Sequence, residues 1–163
     1  MLPDFFAHCL IGVITPLTWK RKRGRDFLVA VILSTFPDID AFFSSLHRIL
    51  LHSVVILIPL IIIVDMILKK YGYRVYQRLS LSLLPLIHVI MDLSTRGIPV
   101  KILFPLVDYG YQFSWLLDSI IINLLQLSPY SYFIEVIRVD LVLLLVVLFL
   151  IITNSLTCKY IFD

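Results

Sequence analysis

Of the side chains in this sequence with the chemistry of metal ligands, seven stand in suggestive positions: His8, Asp38, Asp40, His47, His52, His88 and Asp92. His88 and Asp92 stand four apart, which on a helix sets both on one face with Cβ atoms about 5–6 Å apart. One cation can bridge such a pair. Asp38 and Asp40 follow Pro37. A proline breaks a helix there, and residues two apart share a side only in an extended segment, so an unwound ligand loop is expected. His47 and His52 are five apart and share no helix face, so His47 is expected in a lead-in turn and His52 in the first turns of the next helix. Four imidazoles and three carboxylates exceed the needs of one tetrahedral zinc. They suit two divalent ions, or one ion with catalytic groups beside it. Mixed nitrogen and oxygen ligation favours Zn or Mn over Mg. Such an ion does hydrolytic work by acidifying water and polarising the scissile group.

The elements that must carry these residues follow from composition. The chain has 163 residues, 60% of them hydrophobic and only 15% charged, with a mean hydropathy of +1.00. Soluble domains hold about 45–50% apolar and about 25% charged residues, and a core this small cannot hide the excess. Lipid is therefore the expected cover, and a disordered chain, a collagen-like repeat and a disulfide scaffold are excluded. Cys9 and Cys158 carry no redox information. The sequence reads as an all-α, polytopic integral membrane bundle, one transmembrane domain over 1–163 with about five to six helices, multi-pass in the cell membrane. Expected spans cover about 4–19, 26–43, 49–68, 75–94, 113–127 and 139–157, with Gly and Pro between 97 and 110 ruling out one regular helix there. Without a basic leader and a small-residue cleavage site, the first is expected to be a retained span.

Nine of the fourteen basic residues lie in 20–25 and 69–78. Short basic loops between apolar runs mark the cytoplasmic side. With both loops inside, His8, Asp38, Asp40, His47, His52, His88 and Asp92 all fall in the outer membrane half. Lys and Arg alone set that orientation, so the gathering of His and Asp is a separate observation that agrees with it. Taken singly, each has a plainer reading as a packing histidine or a helix cap. Ionisable groups in the bilayer cost about 2.5–3.5 kcal/mol each on insertion scales, however, so several at one depth are expected to share a cation.

Around these ligands, Arg48, Arg96 and Lys101 can hold an anionic group such as phosphate or anchor the interface. Asp40, Asp92 and Arg48 are the expected catalytic residues. Asp118 is expected to cap or pair within the bundle, or to reach the same cavity as a general base. Asp65 is expected to pair with Lys69, and Trp19, Trp115 and the tyrosines near span ends to form an aromatic belt. Neither GxxxG nor a P-loop, dinucleotide fingerprint, HExxH or GxSxG occurs, which removes the usual support for NTPase, Rossmann, zincin and esterase readings.

In their order these motifs resemble the LexA-regulated membrane-bound metal-dependent hydrolase family, the YdjM-like proteins. The resemblance is carried by His8 in AHCLIG, by Pro37 to Asp40, by His47-Arg48 leading to His52-Ser53, by His88 to Asp92, and by Gly97-Ile98-Pro99 continuing to Phe104-Pro105. It covers about 1–106. The family pattern has Gly, Thr and Trp where this chain has Ile49, Leu51 and Phe104. None of these is an expected ligand, though the hydroxyl lost at Leu51 could orient a ligand or substrate. The resemblance implies a membrane-embedded, metal-dependent hydrolase. An outward site partly sunk in the bilayer suggests a lipid or lipid-linked phosphoester as substrate, with the lipid bilayer as partner and no nucleic acid. A divalent-metal transporter, or a non-enzymatic metal-binding membrane protein, is the alternative from the same residues. A transport path should carry polar groups through its full depth, and the inner half offers little beyond Asp65.

Overall fold

The computed structural model describes residues 2–42, 48–95 and 98–115, with positions 119, 145, 148 and 152. His47, Arg96, Gly97, Asp118 and nearly all of the expected fifth and sixth spans lie outside the described residues. Among the described residues, five α-helices and one 3-10 helix follow in chain order up to residue 94: α1 (Leu2–Leu17), α2 (Gly24–Thr35), the 3-10 helix (Phe36–Phe42), α3 (Val54–Lys70), α4 (Val75–Ser82) and α5 (Leu84–Ser94). The described residues are all-α apart from one isolated antiparallel bridge between Val100 and Tyr111.

Side-chain chemistry sets the helix ends. Asp26 accepts the Arg23 backbone N–H at 2.7 Å and so caps α2, and Gln77 does the same for the Arg74 N–H of α4 at 3.1 Å. After α3 the chain closes a Schellman turn, with Gly72 N–H on Lys69 O at 3.0 Å and Tyr73 N–H on Leu68 O at 3.1 Å. Gly72 supplies the positive φ of 76° that this turn requires. Pro85 has no N–H to give, and the expected 75–94 span is interrupted at Leu83 between α4 and α5.

Helix α1 matches the expected first span in length, and the helices that follow are shorter than the expected spans. Among the described residues no helix is long and apolar enough to cross a membrane. Even α3, at 17 residues, reaches only about 26 Å against a hydrocarbon core of about 30 Å.

The core has two parts. Ile11, Ala30, Leu81, Leu84 and Met91 pack with Trp19 between α1, α2, α4 and α5, while Leu57, Val89, Leu93 and Val100 join α3, α5 and the following loop. Helices α1 and α2 touch backbone to side chain at Gly12, where a Cβ would sit 2.7 Å from Val31 Cα and 2.5 Å from Ser34 Oγ. Trp19 is 2% exposed and packs edge-on to Tyr76 at 6.4 Å. It is a core residue and not part of an interfacial belt, whereas Trp115 is exposed. Asp65 pairs with Arg78 Nε of α4 at 3.5 Å in place of the expected Lys69. Two bonds tie the basic loops together at one end of the bundle: Tyr73 Oη donates to Asp26 at 2.9 Å, and Gln77 Nε2 donates to Arg21 O at 3.3 Å.

Candidate metal centre

At the other end of the helices, four segments converge on buried polar groups. His8 comes from α1, Asp38 and Asp40 from the 3-10 helix, Arg48 and His52 from the turn before α3, and His88 and Asp92 from α5. The one-turn spacing of His88 and Asp92 places both on the buried face of α5, with His88 Nε2 3.7 Å from Asp92 Oδ2. One ligand atom from each of Asp38, His52, His88 and Asp92 lies within 4.8 Å of the other three.

The segment after Pro37 is a 3-10 helix, not the extended loop expected from the sequence. At three residues per turn, side chains two apart point about 120° from one another. Asp38 and Asp40 therefore part. Asp38 Oδ1 faces His88 Nε2 at 3.4 Å, while Asp40 Oδ2 meets His52 Nδ1 at 3.0 Å. His52 lies in the turn before α3 rather than within that helix. Its other ring nitrogen, Nε2, is 2.9 Å from Asp92 Oδ2. Asp40 thus stands behind His52, on the ring nitrogen that points away from Asp92.

His88 decides how well the cluster suits a cation. Its Nδ1 lies 2.7 Å from the carbonyl oxygen of Ser34, which can only accept, so Nδ1 carries the proton. In the neutral ring Nε2 is then a bare lone pair. It is buried, has no hydrogen-bond partner and is directed at two carboxylates. A lone pair and two anions turned toward one point repel one another unless a positive charge lies between them. Divalent metal sites supply that charge, and a ligating His usually donates its other N–H to a carbonyl or carboxylate, as Ser34 O and Asp40 accept here. Two imidazoles and two carboxylates thus form a group that could hold a metal ion.

Two further groups, His8 and Arg48, complete the site. His8 Nε2 is 3.2 Å from Asp92 Oδ1, and its ring stacks on His88 at 3.6 Å between centroids. His8 Nδ1 is buried without a hydrogen-bond partner. Arg48, expected to hold a substrate anion, instead turns its guanidinium inward. Nε and Nη2 each lie 3.3 Å from Asp92, and Nη1 donates to Ile98 O at 3.0 Å. Lys101 pairs with Asp108. Asp38 is the most open member, with 22% of its side chain exposed against 0–2% for His8, His52, His88 and Asp92.

The sequence gives no sign of several parts of this site. The Ser34 and Ile98 carbonyls act through the backbone, which no residue type announces. Thr95, whose hydroxyl lies 3.5 Å from Arg48 Nη2, resembles any helix-end threonine. Arg48 holds a φ of 59°, uncommon for a residue with a side chain, and that conformation aims its guanidinium at Asp92.

The family model described as YdjM inner membrane protein matches residues 4–160, well beyond the 1–106 stretch that carries the motifs. No curated protein and no solved structure matches the chain.

Proposed function

The chain belongs to the YdjM inner membrane protein family and is a membrane protein; from that premise and the His/Asp cluster, we propose that it is a metal-dependent hydrolase acting on a lipid or lipid-linked phosphoester. The observation that carries this reading is the bare, buried Nε2 of His88 facing Asp38 and Asp92. Asp38, His52, His88 and Asp92 would hold the ion, with Zn or Mn preferred. Bound there, it would supply Lewis-acid polarisation of the ester and acidify water.

The remaining roles fall to the chain. Ser34 O keeps the His88 proton on Nδ1, and Asp40 holds that of His52 on Nδ1, so both rings offer Nε2. Arg48 offsets part of the negative charge of Asp92 and fixes that carboxylate. This makes it a positioning residue, as Asp40 is. His8 turns its Nε2 to Asp92 and stacks on His88, which holds both side chains in place. Substrate enters past Asp38, the open edge of the cluster.

We further propose a multi-pass arrangement with the basic loops inside and the cluster toward the outer face. Its support is the asymmetry of Lys and Arg, together with large apolar side chains standing exposed on α2 and α3: Leu28, Ile32, Ile58, Ile62 and Met66.

The test is metal analysis of purified protein, followed by phosphate release from phosphatidate and from an isoprenyl phosphate by the metal-loaded protein. Wild type should hydrolyse at least one of them, and the His88→Ala and Asp92→Asn variants neither. Metal-dependent ion flux in proteoliposomes without hydrolysis of any lipid phosphoester would make it a transporter instead.

A further inference from the structure

At the basic end a second cavity, of about 640 Å³, opens between the α1–α2 and α3–α4 turns. Lys20, Lys22, Arg23, Arg25 and Arg74 line it. Its one carboxylate, Asp26, is buried and engaged by Tyr73 Oη and the Arg23 N–H. The walls are therefore strongly positive and held in place: Gln77 ties the two turns, and Arg25 lies over the Tyr73 ring at 5.6 Å.

A second, apolar cavity of about 340 Å³ adjoins it and shares Arg25, Tyr71 and Tyr73. It runs between α2 and α3 along Val29, Leu33, Val64 and Ile67. Cations at one end and a greasy channel leading away from them match an amphiphile with an anionic head.

From this juxtaposition we propose that the basic end binds an anionic phospholipid, its phosphate among Arg23, Arg25 and Arg74 and one acyl chain along the groove between α2 and α3. Basic pockets between membrane helices recognise phosphate head groups, and guanidinium forks bind phosphate bidentately. A soluble phosphate would use the cavity but leave the groove unexplained. The site lies at the far end of the helices from His88 and is independent of the metal reading.

Binding to the full chain in detergent is measured by titration with short-chain phosphatidylglycerol, phosphatidylcholine and glycerol phosphate, read by tryptophan fluorescence and native mass spectrometry. Phosphatidylglycerol should bind saturably and at least tenfold tighter than either of the others. Its affinity should fall as salt is raised. Each cation removed should weaken it about fivefold, so Arg25→Gln with Arg74→Gln should cost about 25-fold. Leu33→Trp, which fills the groove, should weaken phosphatidylglycerol and leave glycerol phosphate unchanged. The melting curve should stay cooperative and close to that of wild type in all three substitutions, which separates a local effect from a misfolded chain. Equal binding of phosphatidylglycerol and phosphatidylcholine, or salt-independent binding by wild type, would overturn the proposal. So would glycerol phosphate binding as tightly as the lipid.

Discussion

Asp40 separates what spacing suggests from what the fold does. By spacing it is a ligand beside Asp38; in the fold it lies behind His52, its Oδ2 3.0 Å from Nδ1. A carboxylate placed there fixes the ring and raises the basicity of the opposite nitrogen, and loss of such an outer partner costs about 10–100-fold in metal affinity. That is about 1.4–2.7 kcal/mol. Asp40→Asn keeps the shape and an oxygen able to accept the Nδ1 proton but loses the charge, so it should fall near tenfold. Asp40→Ala leaves a buried N–H without its acceptor and should fall near 100-fold. Removing a ligand outright, as in His88→Ala, should leave no measurable stoichiometric binding. The assay is competition for Zn with a chelating dye of known affinity, on protein whose melting curve remains cooperative. Asp40→Asn binding as tightly as wild type would refute the positioning role. Loss as complete as in His88→Ala would show Asp40 to be a ligand after all.

Gly12→Ala should lower the melting temperature, at about 1–3 kcal/mol, because the new methyl meets Val31 Cα and Ser34 Oγ; an unchanged melt would mean that α1 and α2 can separate. Tyr73→Phe removes the hydrogen bond to Asp26 and should cost about 1–3 kcal/mol in chemical denaturation. Burial, then the neighbouring Asp26 carboxylate, raises the Tyr73 phenol above its usual value. Its contribution to stability should therefore be complete below pH ~10 and decline as pH rises through the raised value, followed by phenolate absorbance. For topology, Asp108→Cys should react with a membrane-impermeant thiol reagent in intact cells and Lys22→Cys only after the membrane is permeabilised; equal labelling of both in intact cells would remove the orientation.

Much of the site was legible because helical spacing is a strong constraint. His88 and Asp92 could share a face only one way once their segment was helical. The Pro37 signal was also real, since the helix does change there. Proline weakens an α-helix without always ending it, as Pro59 inside α3 shows, and it does not choose between extended chain and 3-10 turns; that choice reversed the role expected for Asp40. Arg48 was placed near the ligands correctly, but a positive φ redirected its guanidinium from solvent to Asp92. Trp19 illustrates the remaining gap: aromatic residues at span ends suit an interface, yet Tyr76 and the adjoining helices bury this one. The fourth span is longer in the sequence than either of its helices because the apolar run passes through Pro85 without marking the break.

The bond between His8 and Asp92 joins residues 84 positions apart, and this separation orders events during synthesis. His8 leaves the ribosome early, while its acceptor, together with His88, follows only after α2, α3 and α4 have been made. At about 5–20 residues per second, the gap lasts on the order of 4–17 s. Throughout that interval the nascent chain has single imidazoles and scattered carboxylates, which hold divalent ions weakly. The His/Asp cluster is assembled only when α5 docks, so a truncated or misassembled copy lacks it, and with it any ion that the cluster would hold.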